Sequence, residues 1–169
     1  MILYVLRHGE AVERSEQQAD EWRYLTEKGR KSVASAAKAV TKLGRKPRLI
    51  VTSPLPRAVQ TAEIAAGYAC RKNKVEASPL LLPDAELSGV TAFISKHNAA
   101  ANRVMLVGHE PLLGALVASL LGQSAGFALK KGACVALKLG KSGKPAEFLW
   151  YLIPGKKPVY SFKKALRTT

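Results

Sequence analysis

The chain has 169 residues, 47% of them hydrophobic and 23% charged, and its formal net charge is +15. That length suits one domain with a single sizeable core, and the composition argues against a low-complexity protein. No apolar run approaches the roughly 18 residues of a membrane span, and the apolar start is too short for a signal-peptide core, so a soluble, cytoplasmic protein without membrane attachment is expected.

Residues 2–6 form a short apolar run bounded by Arg-His-Gly and read as a buried strand. Thr26 is placed as the N-cap of a helix over 27–43, with Val33, Ala36, Ala37, Val40 and Leu43 as its apolar stripe and Gly44 at the stop. Residues 48–52 read as a second strand. Ser53 and Pro54 are expected to cap and open a helix to about residue 67. Cys70 and Cys134 lack metal-type spacing and read as buried free thiols, with a bridge between them as the alternative. Residues 75–85 combine one short strand with a proline-punctuated loop, and 86–98 suit a helix. Residues 103–107 read as a third apolar strand, followed by a helix from Pro111 to Leu121. Residues 134–139 and 147–153 alternate as a hairpin does. From residue 129 onward ten Lys or Arg face a single acid, Glu147, which is net +9 of the total. That excess suits acidic partners or a merely solubilising face, and the end of the chain, 156–169, reads as a basic tail beyond a domain of 1–155.

Strands alternating with helices predict an α/β three-layer sandwich, with a mainly parallel central sheet flanked by helices and the hairpin at one edge. The residues just after each strand are informative. The first strand ends in Arg7-His8-Gly9-Glu10, the second in Ser53-Pro54-Leu55-Pro56-Arg57-Ala58, the third in Gly108-His109-Glu110-Pro111. Loops at the carboxyl ends of parallel strands share one crevice, so these motifs should converge. Two arginines, two histidines and two helix N-termini suit a dianionic phosphoryl group, because guanidinium forks and unpaired N–H groups match its oxygens. A histidine with one unprotonated ring nitrogen aimed at phosphorus is a competent phosphoryl acceptor. The surrounding cations can then stabilise the transferring group, and no carboxylate cluster suggests a metal site or any other cofactor.

Leu6-Arg7-His8-Gly9-Glu10, the run from Thr52 to Ala62 around Arg57, and Val107-Gly108-His109-Glu110-Pro111 together resemble the histidine phosphatase, or phosphoglycerate mutase-like, superfamily. Leu25-Thr26-Glu27-Lys28-Gly29 matches the same family's Leu-Thr-x-x-Gly helix start. The resemblance spans residues 1 to about 153. It implies a phosphoglycerate mutase-like fold, His8 as the phosphohistidine nucleophile, and Arg7, Arg57 and His109 as ligands of the phosphoryl oxygens. Short length and sparse insertions are similar to the SixA branch, the phosphohistidine phosphatases, whose open site suits a protein-borne phosphoryl group.

Mutase-like members carry a general-acid glutamate in a Leu-x-Glu-x-x-x-Gly sequence after the second helix. Here Leu82-Pro83-Asp84-Ala85-Glu86-Leu87-Ser88-Gly89 departs from it, and Asp84 or Glu86 could serve as the acid or only as turn and cap residues. A phosphohistidine needs such an acid less, since its imidazole leaving group can already be protonated. The favoured expectation is therefore a monomeric, metal-independent protein-phosphohistidine phosphatase acting on a phosphotransfer domain or similar partner. The alternatives are a small-molecule or phosphoester phosphatase, or a polyphosphate- or nucleic-acid-binding protein with a vestigial pocket. Glu10 and Glu110 are expected to orient an arginine or backbone group rather than face phosphate. The tail, with Lys156, Lys157, Lys163, Lys164 and Arg167, is a candidate dock for an acidic partner.

Overall fold

In β1 (Ile2–Arg7), Leu3 and Val5 point to one face of the sheet and Tyr4 and Leu6 to the other, and all four are buried. A strand covered on both faces lies inside a sheet with helices above and below. The computed structural model describes residues 1–16, 19–44, 46–69, 74–98, 103–124, 126–140 and 144–168. In chain order, α1 (Glu27–Leu43), β2 (Leu49–Thr52), α2 (Pro56–Ala69), β3 (Lys74–Ala77), α3 (Leu87–Asn98), β4 (Arg103–Gly108) and α4 (Leu112–Leu120) come after β1. The hairpin strands β5 (Cys134–Lys138) and β6 (Glu147–Leu152) and a terminal α5 (Phe162–Leu166) complete the chain.

The six strands lie in the order β3-β2-β4-β1-β5-β6. The first four run parallel, and β5 pairs antiparallel with both β1 and β6. This is the expected three-layer α/β sandwich with the hairpin at one edge. Ala37, Val40, Ala58, Ala62 and Ala65 of α1 and α2 cover Tyr4, Leu6, Met105 and Val107. Val90, Ile94, Leu113, Leu116 and Val117 of α3 and α4 cover Leu3, Val5, Val104 and Leu106 on the opposite face. Each fully buried Val, Leu or Ile among them contributes roughly 1.5–3 kcal/mol. Among the described residues no helix is long and apolar enough to cross a membrane.

Two boundaries differ from expectation. The helix after Ser53 opens at Pro56, not Pro54. A residue preceding proline is disfavoured in the helical region, so Leu55 stays outside and Pro56 takes the first helical position. Ser53 still helps the turn, its hydroxyl accepting the Leu55 N–H at 3.3 Å. The segment read as a tail folds back: Tyr151 and Val159 pair through two 2.8 Å backbone bonds, and Ala165 of α5 is wholly buried. The cause is apolar, with Phe162 stacking on Phe127 and packing at a tilt against Phe148. Cys134 is a buried free thiol, whereas Cys70 lies outside the described residues.

Gly29 shows why the Leu-Thr-x-x-Gly segment ends in glycine. Thr26 caps α1 by accepting the Gly29 N–H at 2.9 Å. A Cβ on Gly29 would overlap the carbonyl oxygen of Glu10, two residues beyond His8. Gly29→Ala is expected to destabilise the fold by about 1–3 kcal/mol through this overlap. Thermal unfolding checks it, and an unchanged midpoint would remove the close approach as the motif's explanation.

Candidate active site

Strand register brings the three motifs together. Arg7 lies opposite Gly108 in the β1–β4 pair, and Thr52 lies opposite Val107 in the β2–β4 pair. Backbone bonds continue past the strand ends: His8 N–H donates to Gly108 at 3.0 Å and Ser53 N–H to Val107 at 2.9 Å. The helices then lock the loops. Thr61, one helical turn after Arg57, accepts the Gly9 N–H at 3.1 Å and donates to the Arg57 carbonyl at 2.8 Å. Gln60 beside it accepts the Leu25 N–H at 2.8 Å, tying α2 to the approach of α1.

The result is a cleft of about 510 Å³ that includes Arg7, His8, Arg57 and His109 in its walls. His8 is 7% exposed, and its Nδ1 lies 2.7 Å from the Gly9 carbonyl oxygen. Only a protonated Nδ1 can bond a carbonyl, so Nε2 carries the free lone pair. Burial pushes the His8 pKa down to about 4, with Arg57, Arg7 and Arg23 adding to the shift against the Gly9 bond, so the ring is neutral at pH 7. His109 packs 4.9 Å from it, centroid to centroid, with Nε2 at 2.9 Å from the Ser53 hydroxyl. Burial, then the neighbouring His8 and Arg57, push the His109 pKa down to about 3.

Arg7 is set by a relay. Its NH1 donates to the Leu129 carbonyl at 2.6 Å, and the Leu129 N–H donates to Glu110 Oε1 at 3.1 Å. Glu110 therefore braces an arginine through one peptide unit. Burial raises the Glu110 pKa. Arg7 Nε is a buried donor with no protein partner. Glu10 does something else: its carboxylate turns away to Lys28 at 3.0 Å and to the Thr26 hydroxyl at 3.3 Å. Among the described residues no arginine is held by it.

Arg57 is 4% exposed and is held by a residue that none of the sequence motifs includes. Its NH1 donates to the Asp20 carbonyl at 2.7 Å and its NH2 to Asp20 Oδ2 at 3.1 Å. Arg14 and Arg23 each reach Asp20 Oδ1 at 2.8 Å. Hydrogen bonds from Arg23 above all, then Arg14, with the Arg57 charge, hold the Asp20 pKa at about 2. Glu13, Arg14, Asp20, Arg23, Pro83 and Lys131 also line the cleft. The segment from 11 to 24 has no periodicity to reveal it. The usable signal is topological, since the connection leaving β1 must start at the same sheet end as the motif.

Asp84 and Glu86 are not buried and are absent from the cleft lining, where Pro83 is the nearest residue of their segment. Asp84 borders a separate shallow hollow with Leu87 and Pro111. Glu86 instead offers its backbone carbonyl to the Gly89 N–H at the start of α3. Among the described residues no group of three or more His, Cys, Asp or Glu is placed to hold a metal ion.

Known proteins resemble this chain in sequence and in fold. The family model of the histidine phosphatase superfamily (branch 1) matches residues 3–80, which carry the first two motifs. An uncharacterized protein of Picosynechococcus sp. is 34% identical over 143 residues, covering 83% of this chain and 86% of the relative. The structure of the protein histidine phosphatase SixA complexed with tungstate superposes with a TM-score of 0.83 at 26% identity, covering 91% of this chain and 97% of that one. A protein from Agrobacterium tumefaciens, provisionally named phosphohistidine phosphatase SixA, has the same fold at a TM-score of 0.77 and 22% identity, covering 90% and 98%. With its sheet, its strand-end motifs and these likenesses in agreement, the chain is a phosphatase of the phosphoglycerate mutase-like fold and belongs to the histidine phosphatase superfamily.

Proposed function

We propose that this chain is a protein-phosphohistidine phosphatase that works through a phospho-His8 intermediate and needs no metal ion. The observation that carries the reading is the Nδ1 bond of His8 to the Gly9 carbonyl, which leaves Nε2 as a neutral nucleophile in a cleft shared with the buried Arg57 and the half-buried Arg7. In the first step Nε2 attacks phosphorus in line, the phosphorus–nitrogen bond of the substrate breaks, and its imidazole leaves with a proton it already carries. In the second step water attacks phospho-His8, the His8–phosphorus bond breaks, and inorganic phosphate departs. Arg7, Arg57 and His109 hold the non-bridging oxygens, and Arg7 Nε is a donor left for one of them. Charge neutralisation by fixed donors supplies the catalysis a metal would otherwise give.

The placement of Asp20, Asp84, Glu86 and Glu110 favours phosphohistidine over an ester. Asp20 stays ionised at any physiological pH, and Asp84 and Glu86 stand outside the cleft. Glu110 is engaged by the Leu129 N–H. The solved protein similar to this one at 26% identity is named a protein histidine phosphatase and binds tungstate, a tetrahedral oxyanion like phosphate. An ester phosphatase remains the second reading because Glu13 also lines the cleft. The substrate would be a histidine-phosphorylated protein of the cytoplasm, such as a phosphotransfer domain.

A side-by-side phosphate-release assay tests this, with a histidine-phosphorylated phosphotransfer domain and a panel of phosphate esters, in the presence of a chelator. Turnover of the phosphohistidine at least tenfold faster in kcat/KM, unaffected by chelation, is the expected result. Faster turnover of the esters would transfer the assignment to the acid-assisted reading.

A further inference from the structure

Asp20 stands where none of the strand-end motifs placed anything, yet it binds three of the arginines that line the cleft. Its backbone carbonyl and Oδ2 take both terminal nitrogens of Arg57, and its Oδ1 takes Arg14 and Arg23. Arg23 is itself fixed, its Nε donating to the Val12 carbonyl at 2.6 Å. Asp20 thus sits at the end of a braced strut that runs from the backbone after β1 to the buried guanidinium of α2.

We propose that Asp20 is a positioning residue that presets Arg57 for the phosphoryl group and competes with that group for it, so that the cleft releases its phosphate product. The inference rests on Arg57 being a phosphoryl ligand. A nearly buried guanidinium with no anion beside it carries a desolvation cost, and Asp20 offsets that cost while the cleft is empty. A guanidinium has five donor hydrogens. Asp20 takes two of them, one on each terminal nitrogen, which fixes the plane and leaves Nε and the outer hydrogens for phosphate oxygens. The same carboxylate places a negative charge beside a dianion, and so weakens its retention in a cleft lined by Arg7, Arg14, Arg23, Arg57 and Lys131. Without such a competitor, those cations would bind substrate and product alike, which lowers KM without raising kcat.

The test is Asp20→Asn in the full chain, which removes the charge at nearly constant shape, together with Asp20→Glu, which restores it one methylene further out. Inorganic phosphate binding by competitive inhibition and by calorimetry is measured beside kcat for p-nitrophenyl phosphate. In Asp20→Asn, phosphate should bind about five- to tenfold tighter while kcat falls about tenfold. Asp20→Glu should return phosphate affinity towards wild type and recover part of kcat. A residue that only stabilised the fold would lower both affinity and turnover, and that result overturns the proposal. So does Asp20→Asn with both quantities within twofold of wild type. Phosphate binding reads the strut whichever substrate class the enzyme prefers, so failure of the phosphohistidine reading would be seen separately in the substrate comparison.

Discussion

His8→Ala should reduce phosphate release on the order of 10⁴-fold or more, because the reaction loses its covalent acceptor rather than one stabilising contact. The tautomer favours this reading: His8 bonds the Gly9 carbonyl through Nδ1 and keeps Nε2 for phosphorus, whereas His109 bonds Ser53 through Nε2 and has a buried Nδ1 without a protein partner. Acid-quenched enzyme should carry an acid-labile phosphoryl group in the wild type and none in His8→Ala. A retained phosphoenzyme in the variant would assign the nucleophile elsewhere.

The same ring sets a pH signature. Its folded pKa, about 4, lies below the ordinary 6.5, so His8 stays an attacking base until the pH falls through about 4. Turnover of a substrate whose own ionisation is constant should therefore hold from pH 7 to about 5 and decline below that. Stability obeys the same linkage. Both His8 and His109 resist protonation in the folded state, so the unfolded chain binds more protons as the pH falls from about 6.5 towards 4. Stability contributed by the neutral rings is present above about pH 6.5 and is lost across that window. The thermal midpoint should fall between pH 7 and 4, less steeply in His8→Ala.

Arg57→Ala is the second large effect, a loss of about 10³-fold in kcat with weaker phosphate binding. Arg57→Lys should recover little of it. An ammonium lacks the planar fork that spans the Asp20 carbonyl and Oδ2 while leaving further donors for the phosphoryl group. The direction on phosphate affinity is the discriminating measurement, since Arg57→Ala loosens phosphate and Asp20→Asn tightens it. Equal phosphate affinity in Arg57→Ala and wild type would take Arg57 out of the phosphate site.

Much of this site could be read in one dimension because its parts obey local rules. Arg7, His8, Arg57 and His109 each sit at a strand end or within five residues of one, and parallel strand ends share one crevice. Thr26 and Gly29 announced α1 through capping chemistry that involves only neighbouring residues. The alternation of β1, β4 and β5 side chains between the two faces of the sheet likewise comes from side-chain period alone. So the α/β class, the motif residues and the edge hairpin were determined by the order of residues, without any long-range information.

Other features depend on which distant groups meet. Asp20 looks like an ordinary loop acid until folding brings Arg57, 37 positions later, within 3.1 Å of its carboxylate. Glu110 acts on Arg7 only because the loop before β5 passes between them and lends Leu129 as the link. The basic end of the chain became an ordered edge because Phe162 found Phe127 and Phe148, a contact no periodicity announces. Pairing of charges and rings across the fold carries no sequence period, since it is set by the packing of whole elements, and only the tertiary structure could decide it.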